Sequence, residues 1–364
     1  MKIGFDAKRA FLNHTGLGNY SRNVIRAMLK QYPQHEYFLF TPAVEANDFL
    51  AEIKSFPNVH IIQPSGKIFL SYWRSYSITH LINKLQLDVY HGLSNELPLN
   101  IKKSKVKKVV TIHDLIPFKE DTFRNIFDDY FAKKKMYAAC RDTNIITPIS
   151  YATAEDIHRV FGTDQSKLKV VYQPVVLNEP SSLPEVKHKY QLPDQFILQV
   201  GRVEFRKNVQ VILRALIQLK DPQLHYVLVG RKTRFYKSLL AFGTNFGLKP
   251  NLHFINPVND EELAAIYRLS SAVVYPSLYE GFGLPIAEAI YFGKAVLTTR
   301  GGCFEEAGGP GAYYCDTSDP NDVANTITKM LHSDNSGMLE AGQNHIKQFN
   351  SHATAAALME IYSK

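Results

Sequence analysis

Short apolar runs and helix-periodic segments alternate along the whole of this chain. In the first half, runs at 2–6, 37–41, 59–63, 88–90, 109–113 and 144–148 predict strands. In the second, 196–200, 225–229, 252–255, 272–275, 295–298 and 312–315 do the same. Many are continuous in Val, Ile, Leu and Tyr, a pattern that suits parallel strands covered on both faces. Between them, segments 19–30, 208–219, 261–270 and 320–331 carry apolar residues at the spacing of amphipathic helices. An alternating strand–helix series predicts an α/β fold.

The series breaks once. Residues 174–184 hold three prolines and two serines, followed by a short polar helix and Leu192-Pro193-Asp194. That composition predicts a linker at 176–194 between a domain at 1–175 and a second at 195–350. A chain of 364 residues is long enough for about two such domains. Each half reads as one βαβ domain, with a ligand expected in the cleft between them, facing the carboxyl ends of the strands.

Composition adds limits. No apolar stretch is long enough to span a bilayer. Met1–Asp6 lacks the apolar core of a signal peptide. The three cysteines, Cys140, Cys303 and Cys315, suit neither a zinc site nor a disulfide framework. The expectation is a cytoplasmic protein, peripheral on the inner face of a membrane if it meets one. Residues 1–180 hold 24 basic and 17 acidic residues, so nearly all of the net charge of +8 lies there. The excess gathers at Lys102, Lys103, Lys105, Lys107 and Lys108 and at Lys133-Lys134-Lys135. A solvated surface and an anionic membrane or phosphorylated acceptor both fit it. A nucleic-acid partner is not expected, because no recognition module is present.

Four segments could carry chemistry. The first runs from Tyr275 through Glu280, Gly281, Phe282, Gly283, Leu284 and Pro285 to Glu288. A strand enters a loop with two glycines, and Pro285 stands where a first helical residue belongs. Glycines admit close approach of a ligand, and a helix start offers N–H groups and a positive dipole end to a diphosphate. Glu288 could accept the hydroxyls of a ribose; a plain βα turn reads the same way. The second presents Gly201, Arg202 and Lys207, two cations able to neutralise a departing diphosphate, or simply surface charge; Arg206 adjoins them and is not separable by sequence. The third, Thr15-Gly16-Leu17-Gly18-Asn19-Tyr20, reads as a flexible loop opening a helix, for phosphate contact or for a turn. The fourth is His113 at a strand end, either catalytic or structural, with His91 in the same position. Trp73-Arg74 and Asn95-Glu96 are candidate acceptor contacts; a core position for Trp73 fits as well. Asp-x-Asp, the usual carboxylate pair for a divalent ion on a nucleotide-sugar, is absent, as are the P-loop and the Gly-x-Ser-x-Gly elbow.

Taken together and in this order, these motifs resemble glycosyltransferase family four. The clearest mark is the spacing of Glu280 and Glu288 inside Tyr-Glu-Gly-Phe-Gly-Leu-Pro-Ile-Ala-Glu-Ala. Gly201-Arg202 with Lys207-Asn208, Thr-Gly-Leu-Gly-Asn-Tyr and His113-Asp114 support it over nearly the whole chain. One departure is Glu305, where the family usually has Pro before Glu306. The resemblance implies a GT-B fold: two Rossmann-like domains with parallel sheets facing a central cleft, and a final helix over 351–364 packing back on the first domain. It implies a retaining, metal-independent hexosyltransferase with no cofactor. The donor would be a nucleotide-sugar, a GDP- or UDP-sugar, with mannose one candidate hexose. The acceptor would be a glycan, polyprenyl-linked or lipid acceptor of lipopolysaccharide, O-antigen or capsule synthesis. Glu288 would bind ribose. Glu280 and the backbone of Gly281, Phe282, Gly283 and Leu284 would hold the sugar and diphosphate. Arg202 and Lys207 would stabilise the leaving phosphates, Gly16 and Gly18 would shape the loop beneath them, and His113 would meet the donor sugar. A nucleotide-sugar epimerase, a phosphorylase or a non-catalytic sugar-nucleotide-binding protein remains the alternative.

Overall fold

Strand β1 (Lys2–Asp6) is buried at every position after Lys2, as the centre of a sheet must be. In the computed structural model, which describes residues 1–66, 69–119 and 126–364, with 126–129 as backbone only, it pairs in parallel on both sides. Its neighbours are β2 (Glu36–Phe40) and β4 (Val89–Gly92). With β3 (Val59–Ile62), β5 (Lys107–Ile112) and β6 (Ile145–Pro148) the order is β3-β2-β1-β4-β5-β6, all parallel. Ile3, Phe5, Tyr37 and Leu39 point to one face with Val24, Met28 and Leu358. Phe38, Phe40, Tyr90 and Val110 point to the other with Ile78 and Ile157. Two buried faces explain why the runs are continuous rather than alternating.

The second sheet repeats that order one half later. β7 (Phe196–Val200), β8 (His225–Val229), β9 (Leu252–Ile255), β10 (Ala272–Tyr275), β11 (Val296–Thr299) and β12 (Tyr313–Cys315) stack as β12-β11-β10-β7-β8-β9, again parallel. Ile212 and Leu216 of the helix Val209–Leu219 and Val323 and Ile327 of the helix Pro320–His332 cover one of its faces. Helix starts follow local chemistry: Ser150 accepts from the Thr153 N–H at 3.0 Å and Asn259 from the Glu262 N–H at 2.8 Å.

The chain divides into two units: Met1–Pro174 with Phe349–Lys364, and Val175–Gln348. Residues 176–194 therefore belong to the second unit. Their helix, Leu183–Tyr190, buries Val186 and is tied by the Tyr190 hydroxyl to Glu262 at 2.9 Å. The final helix, Ser351–Ser363, lies against the helix Gly16–Gln31 and sends Ala355, Leu358, Met359 and Tyr362 into the first core. Among the described residues, no helix is long and apolar enough to cross a membrane.

Candidate donor site and its relatives

The second sheet reverses its strand order between β7 and β10, the point at which open α/β sheets bind ligands. Both chemistry-bearing segments of this half leave the sheet there. After β7 comes Gly201 at φ 143°, then one 3-10 turn, Phe205–Lys207, before the helix Val209–Leu219. After β10, residues 276–283 lead into the helix Leu284–Tyr291, with Gly283 at φ 127° just before it. A side chain would strain that backbone, so the glycine is required there. Pro285 is the second helical residue, not the first, and Glu280 stands five residues past the strand.

The loop is held from several sides. Thr298 and Thr299 hydroxyls donate to the Tyr275 and Ser277 carbonyls at 2.9 and 2.7 Å. The Leu278 N–H donates to the Arg206 carbonyl at 2.9 Å, and Arg206 Nη1 returns to the Tyr279 carbonyl at 2.7 Å. The Cys303 thiol donates to the Glu280 carbonyl at 3.2 Å. Phe282 is buried, so only its backbone can meet a ligand.

At the centre is a buried ion cluster. Lys207 Nζ lies 2.6 Å from Glu280 Oε1 and donates to the Tyr275 hydroxyl at 2.7 Å; Arg206 pairs with the same Glu280 oxygen. The Lys207 and Glu280 side chains are only 10% and 12% exposed, so the charges attract through little water. Burial alone would raise the Glu280 carboxyl, but Lys207 and Arg206 outweigh it and hold it at about 2. Burial pulls Lys207 below the ordinary lysine range while Glu280 opposes it. Lys207 is pinned through its backbone as well: its carbonyl accepts from Gln199 at 2.9 Å, and Gln199 is oriented by the Tyr226 hydroxyl at 2.6 Å.

Arg202 does not join this cluster. Its side chain is 56% exposed and pairs with Glu204 at 3.0 Å. Arg206, left undecided by sequence, is the half-buried second partner of Glu280. The two arginines differ: one is committed to the loop, and the other is an exposed guanidinium paired with Glu204. Glu288 is half-buried in the second turn of its helix; Oε2 accepts from the Tyr267 hydroxyl at 2.7 Å, and the Tyr267 ring stacks on Phe292. Burial raises its carboxyl above the ordinary range, with Tyr267 opposing.

In the first unit, Gly16 and Gly18 lie in the first turn of the helix Gly16–Gln31, not in a flexible loop. The turn closes early because Asn13 Oδ1 accepts from the Thr15 and Gly18 N–H groups at 2.9 and 3.2 Å. A β-carbon at Gly18 would lie 1.8 Å from the Asn13 carbonyl oxygen, whereas Gly16 faces open space. Gly18→Ala should therefore displace this turn and lower the melting temperature, whereas Gly16→Ala should leave it within a degree or two; thermal unfolding of both variants checks this.

His113 follows β5 directly and is buried. Its Nε2–H donates to the Leu93 carbonyl at 2.9 Å, its backbone N–H to Asn95 Oδ1 at 2.8 Å, and the Tyr20 ring stands edge-on to it at 4.6 Å. Burial lowers its pKa to about 4, so the imidazole is neutral and acts as a dipole, not a cation. Asn95 is thus a support for His113. Trp73 is in the core, and Arg74 is buried between Asp6 and Glu96, each at 2.5 Å. Neither Trp73, Arg74 nor Glu96 is an open acceptor contact. Among the described residues, no group of three or more His, Cys, Asp or Glu side chains could hold a metal ion.

Two family models match consecutive stretches of the chain. Residues 14–179 match the glycosyltransferase family 4 model and residues 184–348 that of glycosyl transferases group 1. The chain belongs to glycosyltransferase family four. Within the family it is 24% identical over 359 residues to the O-antigen chain mannosyltransferase B of Escherichia coli, covering 92% of this chain and 91% of that one. It is 28% identical over 262 residues to the serotype-specific mannosyltransferase WbdA of Escherichia coli, but spans only 32% of that longer protein. Among solved structures, HepE of Anabaena in complex with UDP and glucose superimposes with a TM-score of 0.73 at 18% identity, covering 100% of this chain and 99% of that one. Likeness of this kind shows the GT-B fold.

Proposed function

We propose that this family-four glycosyltransferase is a retaining, metal-independent hexosyltransferase that elongates a surface glycan or lipid-linked glycan. The observation that carries the reading is the buried Glu280–Lys207–Arg206 cluster beside a helix start at the β7/β10 switch point. Glu280 would hold sugar hydroxyls, Glu288 would take the ribose, and the backbone at 281–284 would receive the diphosphate. Lys207 and the exposed Arg202 would neutralise charge on the departing phosphate without a divalent ion. His113, held neutral, would offer a dipole to the sugar. For retention, the acceptor hydroxyl attacks from the face the diphosphate leaves, and the leaving phosphate oxygen takes its proton, so positioning replaces a dedicated base. The relatives named mannosyltransferases make GDP-mannose the first donor to test.

A thermal-shift panel of UDP-, GDP-, ADP- and dTDP-sugars with EDTA present tests the donor site. One nucleotide should raise the melting temperature without metal, and Glu288→Ala should remove the shift. No shift at millimolar concentration with any of them would count against the site. The raised Glu288 pKa adds a pH signature. Its carboxylate must be ionised to accept two ribose hydroxyls, so affinity should rise with pH through the raised value and then level off. Glu288→Gln should bind weakly with no such limb, as titration calorimetry across pH would reveal. In the free protein the sign for stability is opposite: the protonated form is favoured by folding, and this contribution is lost as pH rises. The product's anomeric configuration, read by NMR, tests retention.

We also propose that the first unit docks on an anionic membrane surface. Phe69 and Tyr72 are 76% and 61% exposed, with Leu70 and Tyr76 beside them. Tyr130 and Phe131 are equally exposed on the helix Ile126–Asp142, which also carries Lys133, Lys134 and Lys135. The two segments are joined through Glu96, which binds Arg74 at 2.5 Å and Lys135 at 3.1 Å. Aromatic tips next to lysines suit an interfacial layer of anionic lipid. Phe69→Ser with Tyr72→Ser should reduce co-sedimentation with vesicles rich in anionic lipid about tenfold or more; unchanged binding would refute the patch.

A further inference from the structure

The C-terminal helix reaches the first sheet through a chain of buried hydroxyls and one imidazole. The Tyr362 hydroxyl is 2.5 Å from His91 Nδ1, and His91 Nε2 is 2.8 Å from Thr111 Oγ1. Thr111 Oγ1 is also 3.0 Å from the Tyr20 hydroxyl and 2.9 Å from Thr147 Oγ1, which donates to the Val110 carbonyl at 3.3 Å. All five side chains are buried, so water cannot complete the pattern.

Each hydroxyl has one proton, and that count fixes every direction. Thr147 spends its proton on Val110, so it accepts from Thr111. Thr111 has then used its own, so it accepts from both His91 and Tyr20. His91 must therefore carry its proton on Nε2, leaving Nδ1 to accept from Tyr362. An imidazolium would put two donors against Tyr362 and strand its O–H in the core. The Tyr20 hydroxyl, anchored in this way, sets the ring that stands edge-on to His113 at 4.6 Å and 89°.

We propose that Tyr362, His91, Thr111 and Tyr20 are positioning residues for sugar transfer: Thr111 fixes the His91 tautomer, the hydroxyl on the last helix anchors the other ring nitrogen, and Thr111 and Tyr20 pass that order to the His113 ring. This rests on the reading of His113 as the residue that meets the donor sugar. The competing role is a staple that merely holds the helix. Removing one proton separates the two. In Tyr362→Phe the ring still packs and Thr111 still holds the His91 proton on Nε2, but Nδ1 has no donor and the imidazole loses one of its two anchors.

The test is NMR of imidazole-labelled full-length protein together with steady-state transfer kinetics on wild type, Tyr362→Phe and Tyr20→Phe. Wild type should hold His91 protonated on Nε2 alone. Tyr362→Phe should keep that tautomer, shift the Nδ1 resonance as its hydrogen bond is lost, and lower kcat about ten- to a hundredfold, with the donor KM within about twofold. Tyr20→Phe, which leaves the helix contact intact, should lower kcat in the same way. An active wild type whose kcat is unchanged in both variants, or whose His91 carries its proton on Nδ1, overturns the proposal and leaves the donor reading standing. A wild type that transfers no sugar from any donor overturns the donor reading instead, and the proposal with it.

Discussion

Lys207→Ala is expected to lower kcat for sugar transfer about 10²–10³-fold, the usual loss when one preorganised charge donor is removed from a developing anion. Lys207 Nζ is held between Glu280 at 2.6 Å and Tyr275 at 2.7 Å before any substrate arrives, so no reorganisation is needed during the reaction. Its interaction strengthens as charge builds on the leaving oxygen, so kcat should fall more than donor KM rises. Arg202→Ala should do the reverse. That guanidinium is exposed and must be recruited, so its loss should appear chiefly as weaker donor binding. Lys207→Arg should not rescue. Lys207 Nζ acts as a point charge between Glu280 and the Tyr275 hydroxyl, a geometry that a planar guanidinium does not reproduce. A steady-state comparison of the three variants decides the matter. Equal kcat in Lys207→Ala and wild type would remove Lys207 from the reaction.

These contrasts also mark where sequence reading stops. The sheets were legible because burial on both faces forces continuous apolar runs, and those runs, such as 196–200 and 225–229, coincide with β7 and β8. Glu280 and Lys207 were singled out by two separate motifs, which the structure brings together in one ion pair. Choosing between Arg202 and Arg206 was not. The 3-10 turn at Phe205–Lys207 turns two adjacent cations toward one carboxylate and leaves the cation nearer the strand outside, and no periodicity encodes that. The helix start at Gly16 was read as loop because glycine disfavours helix interiors; the close approach of Asn13 overrides propensity there. His91 remained undecided because its partner, Tyr362, lies 271 residues away and meets it only when the last helix docks.

Glu280 carries the largest stability effect, and acid exposes it. Its carboxyl is held at about 2 by two cations despite burial, against about 4.3 for an ordinary glutamate. That gap corresponds to about 3 kcal/mol of folding free energy at neutral pH. Because the folded value is the lower one, this contribution is complete above the unfolded value and is lost as pH falls from there toward 2. Glu280→Ala should cost about 3–5 kcal/mol at pH 7, since the buried Lys207 and the half-buried Arg206 would lose their counter-ion. Glu280→Gln, which keeps the shape, should also flatten the acid limb of melting temperature against pH. Adding Arg206→Met to Glu280→Gln should recover part of the lost stability, because one stranded cation is gone, but should not recover transfer. Stability and activity would then separate within one cluster. An acid limb of the same depth in Glu280→Gln and wild type would mean that other carboxylates govern acid unfolding and that the cluster is worth far less than its geometry implies.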